Sequence, residues 1–457
     1  MTIYRCDRSV TCFLLGLLLA AFAAQVTAAE LRVAVFDVEI SPPIGSPVAY
    51  APTRKIVDPL SARGIVLLGA DRPIVLCTVD FIGIGNGGNL AWREALAEAA
   101  DTTADRVTVH TLHQHDAPRC DFSAIELLAS RNLASKHFDD DYLRETIVRT
   151  AARIRAAIPR SQPLTHLGIG SAKVVQVASN RRLLGDDGKV KLMRWSKSSN
   201  ADAIAAPEGV IDPLLRTVAM FNGESLVAVL TYYATHPQSY YGQGDVTCEF
   251  VGLARNARQQ ALGGPLHVHF GGAGGNVAAG KYNDGSTGRR PILAERMETG
   301  MRAAWQNIER FKVSAEDVQW RVHAVALPVA KHLNEEKLLA ILDDPTANST
   351  SQLAAASHLA WLRRCQAGDT IDLTCLRLGS TYLVHMPGEM FVEFQLAAAK
   401  LRPDDHVCMA AYGDYGPGYI GTEIAYSQGG YETSPGASRV APEVERVIMD
   451  GLRKLLK

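Results

Sequence analysis

The sequence predicts an α/β protein in which a mixed β-sheet core is flanked by helices and the whole forms a single large domain. Two observations support this prediction. Apolar segments typical of strands alternate with helical patterns along most of the 457 residues. Hydrophobic residues make up 47% of the chain, enough for a sizeable core, and neither an internal repeat nor a low-complexity linker divides it.

The predicted strands are short runs rich in β-branched and aromatic residues. In chain order they are ARGIVLLGA, PIVLCTVDF, DRVTVHTLH, LTHLGIGSAKVV, SLVAVLTYYATH, LHVHFGG, WRVHAVALPV and TYLVHM. The predicted helices carry apolar residues three and four positions apart, as Tyr142, Ile147, Ala151 and Ile154 do. They are NLAWREALAEAA, DDDYLRETIVRTAARIRAAI, ILAERMETGMRAAWQNIERF, TSQLAAASHLAWLRRC and APEVERVIMDGLRKLL.

The first 28 residues have the pattern of a signal peptide. Arg5 and Arg8 precede an uninterrupted apolar run over 12–24, and small residues suited to cleavage end at Ala28. This run is shorter than the roughly 20 apolar residues that a membrane anchor requires. We therefore expect the domain to occupy 29–457 and to be secreted or periplasmic, with no stable membrane span in the mature chain.

The charge balance and the cysteine content argue against certain binding partners and against a fold held together by disulfides. Lys plus Arg total 47 and Asp plus Glu total 48, so no nucleic acid and no anionic membrane surface is expected as a partner. The cysteines beyond the signal peptide are too few for a disulfide framework in so long a chain. Spacing favours a pair between Cys365 and Cys375, and Cys77 is expected in the core.

Three predicted strands end in histidine or glutamate beside a proline-bearing turn. His113 and His115 follow RVTVHTL, His236 follows SLVAVLTYYAT, and Glu389 follows TYLVHMPG. Because open α/β sheets usually collect ligand sites at the carboxyl ends of strands, these side chains are expected to converge in a crevice. Zinc accepts imidazole nitrogen and carboxylate oxygen, and a catalytic site keeps one position open. The sequence therefore predicts a catalytic zinc.

A structural interpretation competes with this one. A single histidine at a strand end is more often a hydrogen-bonded structural residue than a ligand, and HxH is a weak motif. His267 and His269 in LHVHFGG share one strand face and are expected to serve core packing or to support other side chains. Glu389 is expected in the first turn of a helix in PGEMFVEFQLAAAKL, where the positive dipole end favours an ionised carboxylate.

The order of motifs along the chain resembles the neutral, non-lysosomal ceramidase family in its catalytic domain. The matching segments are VFDVEISPPIGSPVAY, LSARGIVL, VLCTVDFIGI, LHQHDAP, SNRRLL, THPQS, GGNVAAG, MPGEMF and GYIGTEIAYSQGGYE. Individually most are loose matches, but their order and spacing together are specific and extend over nearly all of 29–457.

This resemblance implies that one Zn²⁺ ion is bound by His113, His236, Glu389 and Tyr419. It also implies that three further residues surround the scissile amide, namely His115, Arg181 and Tyr431. Chemically, His115 can transfer a proton beside the zinc-activated water, whereas Arg181 and Tyr431 can donate hydrogen bonds to a carbonyl oxygen that gains charge.

Two of these positions have simpler interpretations. Arg181 could form a surface ion pair with Asp186 or Asp187, and Tyr419 could be one of several tyrosines that line a pocket mouth. As a zinc ligand, Tyr419 would rely on the metal to lower a pKa that is ordinarily near 10.

One motif departs from the family pattern. Ala278 stands where the family carries a serine, and Asn276 stands where it carries an acid, both within GGNVAAG. Because no serine nucleophile is left at that place, the sequence predicts hydrolysis by zinc-activated water without a covalent intermediate. The expected substrate is a small-molecule or lipid-like acyl amide, or an ester.

Other functions stay open at this point. A non-catalytic descendant of the ceramidase fold would bind metal or ligand, with GGAGGNVAAG as a ligand-cradling loop. A different zinc hydrolase, such as a phosphoesterase, often uses more carboxylates and a second metal. Nucleotide binding is disfavoured because FGGAGGNVAAGKY lacks the GxxxxGK[ST] spacing, Lys281 being followed by Tyr282.

Overall fold

The computed structural model describes residues 1–2 and 30–457. The predicted signal peptide over 1–28 therefore falls outside the described residues, except for its first two positions. Within the described ranges, no helix combines the length and the apolar character needed to cross a membrane.

Residues 30–457 contain three sheets of four or five strands. The first has the order Val107–Thr111, Asp71–Val79, Ser61–Gly69, Arg32–Glu39 and Gln162–Pro163. The second has the order Leu266–Gly271, Ser225–Tyr233, Leu214–Asn222, His166–Lys173 and Glu309–Lys312. The third has the order Val318–Val325, Ile371–Leu378, Thr381–His385 and His406–Ala410.

Each sheet is mixed in the same way: one pair of strands at an edge is parallel and its other pairings are antiparallel. The parallel pairs are Asp71–Val79 with Val107–Thr111, Ser225–Tyr233 with Leu266–Gly271, and Thr381–His385 with His406–Ala410. The sheets share a buried cluster to which Leu76, Leu230 and Leu383 each contribute from a different sheet. The three parallel pairs are thereby packed at the centre of the molecule.

Helices cover the outer faces of the sheets. In chain order they are Asn86–Ala100, Phe122–Ala129, Asp140–Ala157, Ala201–Ala205, Glu249–Ala261, Arg289–Gln306, Glu335–Asp343, Ser349–Gln366, Val392–Leu401, Glu423–Gln428 and Val444–Leu455. Short strands complete the fold: Lys55–Ile56, Gly83–Ile84, Arg119–Cys120, Ser179–Asn180, Arg182–Leu184, Val190–Met193, Asp245–Val246, Val277–Ala278, Glu389–Met390 and Tyr419–Ile420.

The helix Asp140–Ala157 shows how the sequence pattern produces an element. Its N-cap, Asp139, accepts a hydrogen bond from the backbone N–H of Tyr142, a type of cap that contributes about 1 kcal/mol. The predicted apolar stripe is buried, with Ile154 fully inaccessible, and packs on the first sheet beside the helix Asn86–Ala100. The α/β prediction with a mixed sheet core and flanking helices is confirmed.

Two details of the prediction are wrong. The helix predicted over 292–311 ends at Gln306, because its last residues pair as the strand Glu309–Lys312 with the edge of the second sheet. Cys365 and Cys375 are both free: Cys375 is buried within a central strand of the third sheet, and Cys365 lies at the end of a helix. Cys77 is fully buried in the core, as predicted.

Candidate metal and catalytic site

The candidate site lies where the carboxyl ends of the three parallel pairs meet. His113 follows the parallel pair of the first sheet, His236 that of the second, and Glu389 that of the third. The strand Leu266–Gly271 contacts strands of the other two pairs, so the ends of all three open toward one place. The structure thus brings together the side chains that were predicted from strand ends.

Glu389 and Tyr419 face each other as register partners in a short parallel pair of strands. The prediction that Glu389 begins a helix is wrong, because the helix starts at Val392 with Phe391 as its N-cap. Pairing with the strand of Tyr419 holds Glu389 in an extended conformation before the helix begins. Neighbouring side chains, and not the first turn of a helix, therefore stabilise its charge.

Backbone carbonyls orient both imidazole rings. His113 Nδ1 donates to the Ile82 carbonyl at 2.5 Å, and His236 Nδ1 donates to the Gly274 carbonyl at 3.2 Å. In this tautomer each Nε2 carries a lone pair and no hydrogen. His113 also has a left-handed φ of 64°, a strained conformation of the kind that clusters at functional sites.

Three buried donor atoms form a compact triangle, which we call the donor triangle: His113 Nε2, His236 Nε2 and Glu389 Oε2. The two nitrogens are 3.1 Å apart, and Oε2 lies 3.1 Å from His113 Nε2 and 3.4 Å from His236 Nε2. Oε2 is buried and has no hydrogen-bond partner among the described residues. Lone pairs on all three atoms face one another, an arrangement that a cation at the centre would satisfy.

The Glu389 carboxylate stays ionised although its side chain is only 1% exposed. Burial raises its pKa; a positive charge at His113, from a proton on Nε2, would lower it most, and the hydroxyls of Tyr415 and Tyr419 lower it as well, so that the pKa lies below its usual value. The Tyr415 hydroxyl donates to Oε1. A buried carboxylate that keeps its charge is what a metal ligand requires.

His115 lies beside the donor triangle. Its ring centroid is 5.0 Å from that of His113 and 5.5 Å from that of His236. Its Nδ1 lies 3.2 Å from the Tyr50 hydroxyl, and its Nε2 is buried with no partner in the described part of the chain. Burial holds the pKa of His115 well below 6.5, and the positive charge of Arg181 adds to this effect. The ring is therefore neutral, and one of its nitrogens carries a lone pair.

The ligand atoms of His113, His115 and His236 all lie within 4.8 Å of one another, so this cluster could hold a metal ion. His115 thus competes with Glu389 as the third donor. The tighter spacing of the donor triangle, and the charge of its carboxylate, favour Glu389 in that position.

Arg181 is buried against Tyr419 and is not at the surface. Its Nη1 donates to the Tyr419 hydroxyl at 3.1 Å, and its Nε lies 3.2 Å from Glu432 Oε1. The alternative of a surface ion pair with Asp186 or Asp187 is therefore wrong. Burial by itself lowers the pKa of Arg181, but Tyr419 and Glu432 raise it above the usual value, so the guanidinium keeps its charge.

Exposed aromatic side chains lie beside the site: Tyr50 and Tyr241 near His115, and Tyr431 near Tyr419. The Tyr431 ring meets Trp195 edge-on at 5.3 Å and Tyr419 at 5.7 Å, and the rings of Tyr50 and Tyr241 are 5.3 Å apart. We call Tyr50, Trp195, Tyr241 and Tyr431 the aromatic rim; these side chains are between 43% and 58% exposed. Tyr419 is only 6% exposed, so it is buried and does not belong to the aromatic rim.

The glycine-rich segment packs against the site. A Cβ on Gly275 would lie 2.3 Å from the Glu389 carbonyl oxygen, and a Cβ on Gly274 would lie 2.8 Å from the Tyr412 hydroxyl. Only glycine permits so close an approach of two backbones. The glycines of GGAGGN are therefore explained by packing beside the donor triangle.

Ala278 and Asn276 have structural surroundings. Ala278 is fully buried in a short strand and accepts a hydrogen bond from the Ser179 hydroxyl through its carbonyl at 2.8 Å. The Asn276 side chain accepts from the Val392 N–H and donates to Glu393 Oε2, each at 2.9 Å. Asn276 thus ties the glycine-rich segment to the helix that follows Glu389.

Sequence reasoning missed three side chains that touch the site. Tyr412 stacks on His113 with ring centroids 4.7 Å apart, Tyr415 binds Glu389, and Glu432 pairs with Arg181. The segment AYGDYGPGYIG follows the strand His406–Ala410, which pairs in parallel with the strand that precedes Glu389. This strand was not predicted; had HVCMA been recognised as a strand, the strand-end rule would have pointed to these tyrosines.

Solved structures with the same architecture were found by structural comparison. A crystal structure of neutral ceramidase from Pseudomonas aeruginosa matches with a TM-score of 0.66 at 17% sequence identity, covering 94% of this chain and 74% of that one. The chain has the neutral ceramidase fold. A structure of a ceramidase complexed with C2 matches with a TM-score of 0.67 at 16% identity, covering 94% and 75% of the two chains. No protein-family model matches the chain, and no curated protein sequence does.

The ceramidase likeness confirms the resemblance that the ordered motifs indicated, at the level of the fold. It extends over 94% of this chain. With identity this low, the roles of the individual residues depend on their own geometry.

Proposed function

We propose that this chain is an exported, zinc-dependent hydrolase that cleaves an N-acyl amide bond, or an ester, with water as the nucleophile. The observation that carries this proposal is the donor triangle. In a tetrahedral zinc site with Zn–N near 2.0–2.1 Å, adjacent ligand atoms lie about 3.3–3.4 Å apart. The three donors are 3.1–3.4 Å apart. Ca²⁺ and Mg²⁺ prefer six or more oxygen ligands, which these two imidazoles do not offer.

Tyr419 is the proposed fourth donor. Its hydroxyl accepts from Arg181, and its ring lies parallel to that of His236 with centroids 6.3 Å apart. Bound in this site, zinc would supply a Lewis acid that acidifies water and polarises a carbonyl.

Three side chains are placed to act on the substrate. His115 Nε2 accepts a proton from the attacking water and later delivers it to the leaving amine or alcohol. Arg181 donates to the carbonyl oxygen as it gains negative charge; its Nη2 makes no hydrogen bond within residues 30–457 and is free to do so. Tyr431 is proposed as a second donor from the rim. One water is consumed, the C–N or C–O bond breaks, and a carboxylic acid and an amine or alcohol leave.

The absence of a serine at position 278 agrees with a direct attack by water. Ala278 is fully buried and its strand is paired with Ser179–Asn180, so it offers no nucleophile. Catalysis by metal and general base requires none. The aromatic rim presents apolar ring faces with polar tips, which suits contact with the acyl group and the polar part of an amide substrate.

Metal analysis combined with a substrate screen tests the proposal. The purified protein is expected to hold one zinc per chain and to hydrolyse N-acyl amides or esters in a series of acyl lengths. His236→Ala should lose both zinc and activity, whereas His332→Ala, a change at an exposed histidine, should retain both. Activity that survives His236→Ala, or complete removal of metal, would contradict the proposal.

A non-catalytic binding protein is the second candidate, and the replacement of the family serine by Ala278 is the observation that favours it. Stoichiometric zinc without turnover of any acyl amide or ester would select this candidate. Export is tested separately by sequencing the mature N-terminus, which we expect at Ala29. An N-terminus at Met1 in the exported fraction would contradict it.

A further inference from the structure

Tyr415 contacts two of the three residues that form the donor triangle, Glu389 and His113. Its hydroxyl donates to Glu389 Oε1, and its ring stacks on His113 with centroids 5.6 Å apart and planes at 29°. Its backbone N–H donates to the Ile84 carbonyl at 2.9 Å, two residues from the Ile82 carbonyl that accepts from His113 Nδ1. The segment 82–84 therefore orients both His113 and Tyr415.

The Tyr415 ring has little freedom to move. On one side it meets His113, and on another it meets Gly83, where an added Cβ would lie 3.0 Å from the Tyr415 Cγ. The preceding residue, Asp414, accepts from the backbone N–H groups of Gly416 at 2.9 Å and Asn86 at 3.2 Å. The hydroxyl is consequently held at Glu389 by packing of the ring against His113 and Gly83 and by a fixed backbone.

A carboxylate can bind a metal through one oxygen or through two, and rotation about its last torsion exchanges them. In this structure the Tyr415 hydroxyl donates a hydrogen bond to Oε1. Oε2 faces the nitrogens of His113 and His236 and has no hydrogen-bond partner among the described residues. We propose that Tyr415 is a positioning residue that holds Glu389 as a one-oxygen ligand and so strengthens metal binding. This inference rests on the metal site of the proposed function.

Tyr415→Phe removes the hydroxyl and keeps the ring, so it tests the hydrogen bond to Glu389 alone. The ring packing remains, so the unfolding temperature of the metal-free protein should be close to that of the wild type. Affinity for Zn²⁺ should fall about 10–100-fold, the usual effect of removing a hydrogen bond to a metal ligand. Tyr232→Phe is the matched control, because the Tyr232 hydroxyl is also buried but has no hydrogen-bond partner in the described residues, and its ring stacks on Phe270.

Zinc affinity is measured by competition with a chelator of known affinity, and the visible spectrum of the Co²⁺-loaded protein reports the coordination of the metal. Weaker binding and an altered Co²⁺ spectrum in Tyr415→Phe, with Tyr232→Phe unchanged, support the inference. Equal affinity and equal spectra in wild type and Tyr415→Phe overturn it. If the wild type binds no metal, the proposed function itself fails, so the two failures are distinguishable.

A measurement on the wild type covers the case in which Tyr415→Phe does not fold. The separation between the two carboxylate stretching bands in the infrared difference spectrum, zinc-loaded minus metal-free, depends on how Glu389 binds. A wide separation indicates ligation through one oxygen and supports the inference. A narrow separation indicates ligation through both oxygens and contradicts it.

Discussion

His113 Nε2 and His236 Nε2 lie 3.1 Å apart in a buried site, while each ring donates its Nδ1 hydrogen to a backbone carbonyl. Two nitrogen lone pairs at this distance repel each other unless a cation or a proton lies between them. The charge of Glu389 completes the set. This relationship determines what should happen when metal is removed.

Removal of the metal should destabilise the protein. A ligand that binds only the folded state stabilises it by about 4 kcal/mol when its free concentration is 1,000 times Kd. We therefore expect a chelator to lower the unfolding temperature measured by calorimetry, and re-added Zn²⁺ to restore it. The chelator should leave His236→Ala unchanged. A wild-type unfolding temperature that is indifferent to both additions would contradict a metal site at His113 and His236.

Arg181→Lys should lower kcat without loss of zinc. The lysine keeps the charge but cannot contact Tyr419, Glu432 and a substrate at once, as the planar guanidinium can. Loss of one donor to a developing oxyanion typically costs about 10²–10³ in kcat. Steady-state kinetics beside metal analysis of the same preparation check this. Unchanged kcat at full zinc occupancy would remove Arg181 from the mechanism.

Hydrolysis should proceed without a covalent intermediate. Rapid-mixing experiments on the wild type should show linear product release with no burst. Ala278→Ser should not raise kcat, since its hydroxyl would be buried, at a cost of about 1–3 kcal/mol if it found no partner. A burst in the wild type, or an acyl group trapped on the protein, would indicate a nucleophile that the site as described does not contain.

Two residues of the aromatic rim should affect different kinetic constants. Trp195 should contribute mainly to substrate binding, and Tyr431 mainly to the chemical step. Trp195→Ala removes a ring that is 44% exposed and should raise KM with little change in kcat. Tyr431→Phe keeps its ring but removes the proposed hydrogen-bond donor, and should lower kcat. Val322→Ala, which alters an apolar side chain of similar exposure on the edge of the third sheet, should change neither. Equal kinetics in all three variants would place the substrate elsewhere.

Buried neutral histidines should make the protein sensitive to mild acid. Burial lowers the pKa of His269 from 6.5 to about 3, so between these values the unfolded chain binds a proton that the folded chain does not. The contribution of His269 to the free energy of unfolding is therefore fully present above pH 6.5. As the pH falls below this value, the contribution is lost by about 1.4 kcal/mol per pH unit. His269→Gln can keep a hydrogen bond to Thr231, and its stability should depend less steeply on pH.

Urea unfolding of the metal-free protein at several pH values between 7 and 4.5 measures this slope. His166→Gln, a change at a partly exposed histidine outside the site, should retain nearly all of the wild-type slope. A His269→Gln variant with the full wild-type slope would show that His269 is protonated in the folded state.

Elements with a strong local pattern were predictable. The helix Asp140–Ala157 carries its cap and apolar stripe in its own sequence, and the strand Ser225–Tyr233 is a continuous apolar run. Arg32–Glu39 and Ile371–Leu378 were not predicted as strands, and the segments with which they pair in the structure are not marked in their own sequences. Local periodicity does not encode such partners.

The sequence by itself determined the α/β class, the strand ends at which the histidines and Glu389 stand, and the order of motifs that resembles the ceramidases. Only the tertiary structure decided that Glu389 lies in a strand beside Tyr419, that Arg181 is buried with Glu432, and that Tyr415 binds the carboxylate. These contacts join residues of separate segments. They form because three sheets bury a common apolar core, which brings their parallel strand ends together, and no segment read alone contains that information.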